Sequence, residues 1–209
     1  MLIIDGPDNI GKTTLANRIT KIANEKSSYK REDWPFEDIE FKYRHMTRPP
    51  EGWYYFHGYK NLALGSHYIV QDRFHLGTLA YDETPKYTSE QLRIIESWVY
   101  RTGSLIVVLT PNNYRNYEAR LRSSEYGRKE MFDVERILRA ATLYEEISTG
   151  EFASEHRFEI TPTVDHCYGV SFEGDGSFSK WQTEEYWSNV ANELIDEWFK
   201  RIEWAIEGE

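Results

Sequence analysis

The sequence predicts an α/β fold: a five-stranded parallel sheet flanked by helices, built as one domain over residues 1–209. Three observations carry that reading. Strand-like and helix-like patterns alternate along the chain. Three of the strand segments, containing LII, YIV and LIVVL, are unbroken apolar runs, the signature of parallel strands covered on both faces. A glycine-bounded turn joins the first of them directly to an amphipathic helical pattern.

The strands are expected at Leu2–Asp5, Glu40–His45, His67–Asp72, Ser104–Thr110 and Arg157–Thr161. Between them, Lys12–Lys26 places Leu15, Ile19 and Ile22 on one helical face. Ser89–Arg101 opens with the capping-box pattern Thr88-Ser89-Glu90-Gln91 and stops at Gly103. Asp133 caps a helix over Asp133–Thr149 whose stripe is Ile137, Ala141, Tyr144 and Ile147, with Gly150 as the stop. Thr183–Ile206 carries Trp187, Val190, Leu194, Trp198, Ile202 and Ile206 at three- and four-residue spacing, with Glu184 and Glu185 at the positive end of its dipole. Cys167–Phe172 and Ser177–Trp181 flank Glu173-Gly174-Asp175-Gly176 and read as a small β-hairpin insertion, about residues 164–182, before the last helix. No repeat or low-complexity segment interrupts this order.

Composition narrows the class. A chain of 209 residues buries enough surface to fold without a disulfide or metal staple. Cys167 is the single cysteine, so no intrachain disulfide forms, and a reducing, cytoplasmic setting is expected. No apolar run approaches the ~20 residues of a membrane span, and no signal peptide is expected ahead of Leu2-Ile3-Ile4. The net charge of −10 argues against an extended nucleic-acid partner. Aromatic residues make up 15% of the chain and need a use.

The sharpest motif is Gly6-Pro7-Asp8-Asn9-Ile10-Gly11-Lys12-Thr13, which fits G-x-x-x-x-G-K-[ST]. Glycines let backbone N–H groups wrap an anion, and the following helix points its N-terminus at it. Lys12 supplies charge to terminal phosphates, and the Thr13 hydroxyl is a Mg²⁺ ligand. Gly6, Asn9, Ile10, Gly11, Lys12, Thr13 and Thr14 are therefore expected to bind the phosphates of a nucleotide donor. This motif makes the fold that of a P-loop NTPase. Asp72-Arg73 ends a strand, where ligands of open α/β sheets sit. Asp72 is placed on the metal side or against the acceptor, and Arg73 is a two-pronged phosphate clamp. Arg115, Arg120, Arg122, Arg128 and Lys129 surround the polar stretch 123–127 and suggest a lid over about 115–132. Arg122 and Arg128 are its expected catalytic members. Trp53, Tyr54, Tyr55, Phe56 and Tyr59 cluster in one segment, and aromatic faces of this kind suit a planar base, with Tyr55 and Phe56 favoured and Phe74 as a further stacking face. His75, at a helix start, reads as a local hydrogen-bond partner. Asp165-His166-Cys167 are consecutive and point apart, which argues against zinc.

With these residues assembled, the chain resembles thymidylate kinase and related nucleoside monophosphate kinases, in particular those carried by bacteriophages. The resemblance rests on Gly6–Thr14, on Thr47-Arg48-Pro49, on the decapeptide Asp72-Arg73-Phe74-His75-Leu76-Gly77-Thr78-Leu79-Ala80-Tyr81, and on the position of Arg120–Lys129. It implies ATP as donor, Mg²⁺, a deoxynucleoside monophosphate as acceptor and, often, a homodimer. It also implies that Asp8 reaches the acceptor's sugar and that Arg48 and Arg73 contact the acceptor. Three departures stand out. Asn9 occupies a position where some members carry arginine, so a lid arginine must supply the catalytic cation. Gly77 replaces the family serine. The segment before the Asp-Arg strand lacks the family's arginine, leaving Lys60, His57 or Arg48 to substitute. Two other readings stay open: a kinase of a hydroxyl acceptor (a deoxynucleoside, or 5-hydroxymethyluracil in DNA), and a nucleotide-sensing protein without transferase activity.

Overall fold

The structure, a computed structural model, describes residues 1–28, 39–46, 53–64, 68–81, 88–123, 133–152 and 160–207, the side chains of 53–56 and 206–207 excepted. Strands β1 (Leu2–Asp5), β2 (Lys42–His45), β3 (Ile69–Asp72), β4 (Leu105–Pro111) and β5 (His166–Val170) form one sheet in the order β2-β3-β1-β4-β5. Every pairing is parallel. All four residues of β1 are buried, as an apolar central strand between two parallel neighbours must be. The registers Ile4↔Asp72 and His45↔Asp72 bring the carboxyl ends of β1, β2 and β3 level with one another.

Among the described residues the helices are α1 (Lys12–Ser28), α2 (Trp53–Leu64), α3 (His75–Tyr81), α4 (Ser89–Arg101), α5 (Tyr114–Ser123), α6 (Val134–Thr149) and α7 (Glu184–Glu207). The expected caps form. Thr88 and Gln91 make the reciprocal capping box of α4, and Asp133 accepts the Arg136 N–H at the start of α6. α1 packs on α7, α2 on α4 and α3 on α6. The α7 stripe is core: Leu194, Trp198 and Ile202 are fully buried, and Trp198 meets Phe41 edge-on at 5.3 Å. An aromatic or aliphatic side chain taken wholly out of water contributes roughly 1.5–3 kcal/mol, so burial of this stripe is what fastens the last helix to the sheet.

One strand is displaced from its expected place. The fifth strand is His166–Val170, not Arg157–Thr161. Ile160 and Thr161 are not in a strand, and residues 157–159 lie outside the described residues. The first arm of the expected hairpin thus serves as the sheet's edge strand, because Cys167 to Val170 pair in register with Val108 to Pro111. What remains of the hairpin is a tight turn. Gly176 N–H donates to Glu173 O, Glu173 N–H to Ser177 O and Ser179 N–H to Ser171 O, with a single Phe172↔Phe178 bridge.

Candidate nucleotide site

The turn between β1 and α1 has the backbone that its glycines predict. Gly6 has φ +142°, and a Cβ there would lie 2.5 Å from the Leu109 carbonyl oxygen on β4, so only glycine fits between the two strands. Asn9 (φ +60°) and Gly11 (φ +102°) complete the curl, Asn being among the few side-chain-bearing residues that accept a left-handed backbone. Lys12 is only 5% exposed. Its Nζ donates to Pro7 O at 2.6 Å and lies 3.9 Å from the Asp8 carboxylate. Burial, then the neighbouring Arg73 cation, lowers its pKa, and Asp8, Asp72 and Asp5 oppose that only in part. A buried cation with so few partners gains from an incoming anion.

The second half of the site hangs from β3. Asp72 is fully buried, and its Oδ2 accepts from Thr13 Oγ1 at 2.7 Å, His45 Nδ1 at 3.0 Å and Tyr43 OH at 3.1 Å. Its Oδ1 is buried with no hydrogen-bond partner. Burial pushes the carboxyl pKa up, but Lys12, the Thr13 hydroxyl and His45 outweigh it and hold the group ionised below its ordinary value. An orphaned, ionised carboxylate oxygen beside a hydroxyl is a hard-oxygen donor set, the chemistry Mg²⁺ selects. The residues present therefore fit that cation, with Thr13 and Asp72 as its protein side. Arg73 follows in a left-handed backbone (φ +68°), fixed by its N–H on Ile4 O at 2.9 Å and by Gln71 Nε2 on its carbonyl at 2.8 Å. This strained residue turns its guanidinium across the cleft to the Asp8 carboxylate. Burial disfavours the Arg73 cation, yet Asp8 and nearby Tyr81 raise its pKa overall.

Behind both loops sits a hub that the sequence did not reveal. Asp5 is fully buried. Its Oδ1 accepts from Gly6 N–H at 3.0 Å and from the Tyr144 hydroxyl, and its Oδ2 from Phe74 N–H at 3.0 Å and Gly77 N–H at 3.1 Å. One carboxylate thus ties the phosphate loop to the Asp72-Arg73 turn. It also accounts for Gly77, where a Cβ would come within 3.2 Å of Tyr144 OH and 3.4 Å of Asp5 Oδ1. Asp8 is pinned through its backbone: its N–H donates to Tyr81 OH at 2.8 Å, and its carbonyl accepts from Tyr117 OH. Arg120 Nε donates to Asn9 O at 3.1 Å. Tyr81 is legible within the decapeptide. Asp5, Tyr43, His45, Tyr117 and Tyr144 carry no motif signal, because only folding makes them neighbours.

Gly6, Asp8, Asn9, Ile10, Gly11, Lys12, Thr13 and Thr14 form the turn and first residues of α1, with Asp72 and Arg73 facing them, as the sequence expects. Two expectations are corrected. Arg122 stands on the outer face of α5, its Nε on Glu118 and its Nη2 on Glu135, both at 2.7 Å, because the nearest carboxylates lie along and beside its own helix. Arg120, one turn-face away, is the α5 arginine that reaches the phosphate loop. Phe74 is 1% exposed, packed edge-on against Tyr59 and His75 at 4.8 and 5.2 Å, so it has no open face for a base. Arg48 and Arg128 lie outside the described residues. Tyr55 and Phe56 fall in α2, but their side chains are outside the description, while His57 and Lys60 of the same helix are exposed. His75 bonds Glu96, whose other oxygen accepts from Thr163 N–H at 3.0 Å. Asp165 accepts from Ile106 N–H and Arg201, and His166 bonds Glu197 at 2.6 Å.

No family model and no curated protein matches the chain. The fold matches a solved structure, the YorR protein of Bacillus subtilis in complex with phosphorylated GDP, over 93% of both chains with a TM-score of 0.58 and 19% sequence identity. At that identity the likeness speaks to the fold. With the all-parallel β2-β3-β1-β4-β5 sheet and the glycine-bounded loop after β1, it gives this chain an α/β fold consistent with that of P-loop NTPases.

Proposed function

We propose that the protein is a nucleotide kinase that uses ATP and Mg²⁺ to phosphorylate a pyrimidine deoxynucleoside monophosphate, dTMP or a modified relative. The observation that supports this most is the orphaned Asp72 Oδ1 beside Thr13, with the buried Lys12 on one side and Arg73 on the other. Lys12 and the N–H groups of the curled loop bind the donor phosphates. Thr13 and Asp72 hold Mg²⁺, which shields the triphosphate oxygens when bound. Arg73 exchanges the Asp8 carboxylate for the acceptor phosphate, whose own charge makes a strong general base unnecessary. His45, with Lys12 and Thr13, keeps Asp72 ionised, and the Tyr43 hydroxyl helps to orient it. Arg128 then remains the lid arginine to supply a cation to the transferring group, since Arg122 is spent on Glu118 and Glu135. The YorR complex with phosphorylated GDP is in keeping with nucleotide chemistry on this fold.

A second reading, a hydroxyl acceptor, draws on the same Arg73–Asp8 pair: a carboxylate held in the cleft beside Lys12 can take a hydroxyl proton. One experiment separates the readings. The protein is incubated with ATP, Mg²⁺ and a panel of nucleosides, monophosphates and 5-hydroxymethyluracil DNA, and phosphate gain is followed by mass spectrometry. Transfer to a pyrimidine monophosphate that falls about 100-fold or more in Arg73→Ala supports the proposal. Transfer to a nucleoside or to DNA assigns the hydroxyl reading, and ATP binding with no transfer assigns a nucleotide sensor.

A further inference from the structure

The phosphate loop lies at the carboxyl end of the parallel sheet. At the opposite, amino end the structure holds a cavity of about 380 Å³, beside the last turns of α4 and α7 and the chain that enters β5. Its walls include Glu96 and Tyr100 of α4, Arg201 and Trp204 of α7, and Thr163 and Asp165 ahead of β5. The cavity is built into the fold. Gly103, which leads from α4 into β4, has φ +58°, and a Cβ there would lie 2.3 Å from the Arg201 carbonyl oxygen. The end of α4 and the backbone of α7 therefore touch main chain to main chain along its wall.

Aromatic faces and charge give this cavity a chemical preference. Tyr100 is 69% and Trp204 55% exposed, and their rings meet edge to face with centroids 5.7 Å apart. Both are large aromatic faces that serve no core. Glu96 and Asp165 are largely buried carboxylates. Glu96 accepts from His75 and from Thr163 N–H, and Asp165 accepts from Ile106 N–H at 2.7 Å and Arg201 Nη1 at 2.9 Å. A carboxylate accepts about four hydrogen bonds, so both keep acceptor capacity. His75 and the bonds from Thr163 hold Glu96 ionised against the opposing effect of burial. Arg201, the lining cation, is already committed: Nη1 to Asp165 and to Ser104 O at 3.3 Å, Nη2 to Glu197 at 2.7 Å. The last turns of α4 and α7 add the negative ends of two helix dipoles. An anion would meet carboxylates and helix carbonyl ends here. An ammonium group meets carboxylates and π faces that attract it, while the rings and Val99 accept an apolar stem.

We infer that this cavity is a binding site for a small aliphatic amine, a diamine or polyamine, whose ammonium group sits between the Tyr100–Trp204 pair and the carboxylates of Glu96 and Asp165. The site stands apart from the nucleotide-kinase reading, since none of these residues belongs to the phosphate loop or to the Asp72-Arg73 turn.

The test compares cadaverine, a five-carbon diamine, with pentanediol, an uncharged probe of similar shape. Dissociation constants are measured by calorimetry for the wild type, Tyr100→Ala, Trp204→Ala and Trp204→Phe, with circular dichroism to confirm folding. The diamine is expected to bind at least about tenfold more tightly than the diol. Trp204→Ala and Tyr100→Ala are each expected to weaken the diamine about 2- to 30-fold, the span for loss of one cation–π contact, and Trp204→Phe to recover part of the loss. No binding of cadaverine up to about 10 mM overturns the inference, as does a diol that binds as tightly as the diamine. Unchanged affinity in Trp204→Ala also overturns it, because the amine would then be drawn only by the general charge of a chain at −10. Cadaverine binding that needs Trp204, in a protein that binds no ATP, supports this site and removes the kinase reading.

Discussion

Asp5→Asn is the most informative single change, because it replaces one oxygen by an amide in a fully satisfied, fully buried site. The native carboxylate accepts four hydrogen bonds, three of them from backbone N–H groups. An asparagine has one acceptor oxygen. If its NH₂ faces Phe74 and Gly77, two backbone donors lose their acceptor and confront two more. If it faces Gly6 and Tyr144, one backbone donor is orphaned, and the Tyr144 hydroxyl can rotate to accept. The second orientation wins. Weaker bonds to a neutral oxygen are offset in part by relief of a buried charge, since burial raises the Asp5 pKa despite the Tyr144, Phe74 and Gly6 bonds and nearby Lys12. The remaining cost is one buried, unsatisfied Gly6 N–H, about 1–3 kcal/mol. For a domain of this size each kcal/mol moves Tm by ~2–4 °C, so Asp5→Asn is expected to melt roughly 2–12 °C lower. Asp5→Ala orphans three backbone donors, a cost comparable with the whole stability of an ordinary domain, ~5–15 kcal/mol. Thermal melts by circular dichroism measure both. The orphaned Gly6 N–H belongs to the phosphate loop, so tripolyphosphate affinity should fall in Asp5→Asn as well. An Asn variant melting with the wild type, or an Ala variant as stable as the Asn variant, refutes the hub.

Other consequences are open to direct measurement. Asp8→Asn removes the carboxylate that competes for Arg73. For a monophosphate acceptor its KM is expected to drop roughly fivefold, the equivalent of ~1 kcal/mol, whereas a collapse of kcat toward a nucleoside would identify Asp8 as a base. Asp72 has its folded pKa held below the ordinary 3.8, so its contribution to stability is complete above about pH 4 and is lost as pH falls through its folded value. The gap in Tm between wild type and Asp72→Asn should therefore change below pH 4 and stay constant from pH 5 to 7; a gap that is flat down to pH 2 contradicts the assignment. His75→Ala strands the buried Glu96 carboxylate, whose pKa His75 lowers against the opposing effect of burial. About 3–5 kcal/mol of stability should disappear while kcat per folded molecule holds within a few-fold; a large kcat loss with Tm unchanged would make His75 catalytic instead.

The reading of residues 6–14, 72 and 73 needed no tertiary information, because the chemistry of a phosphate loop is written in local spacing. Gly6 must turn the chain at a positive φ, Lys12 must sit at a helix start, and Asp72 must end a strand. The alternation of apolar runs with amphipathic stretches was equally local, and the five-stranded parallel sheet followed from it. Selection among look-alike partners was not local. His166–Val170 and Arg157–Thr161 both carry strand-like patterns, and register against β4 chose the first. Arg120 and Arg122 are two residues apart on α5. The helix turns them to different neighbours, one to Asn9 and Phe178, the other to Glu118 and Glu135. Phe74, expected at the acceptor pocket, went to the core, while Phe178, in a hairpin with no assigned task, lies partly exposed beside Gly11. Asp5 became a hub only when Phe74, Gly77 and Tyr144 were folded around it. Spacing along a chain dictates what one backbone segment can bind. Which distant side chains complete it is decided by packing, since burial and hydrogen-bond satisfaction act between residues far apart in the chain.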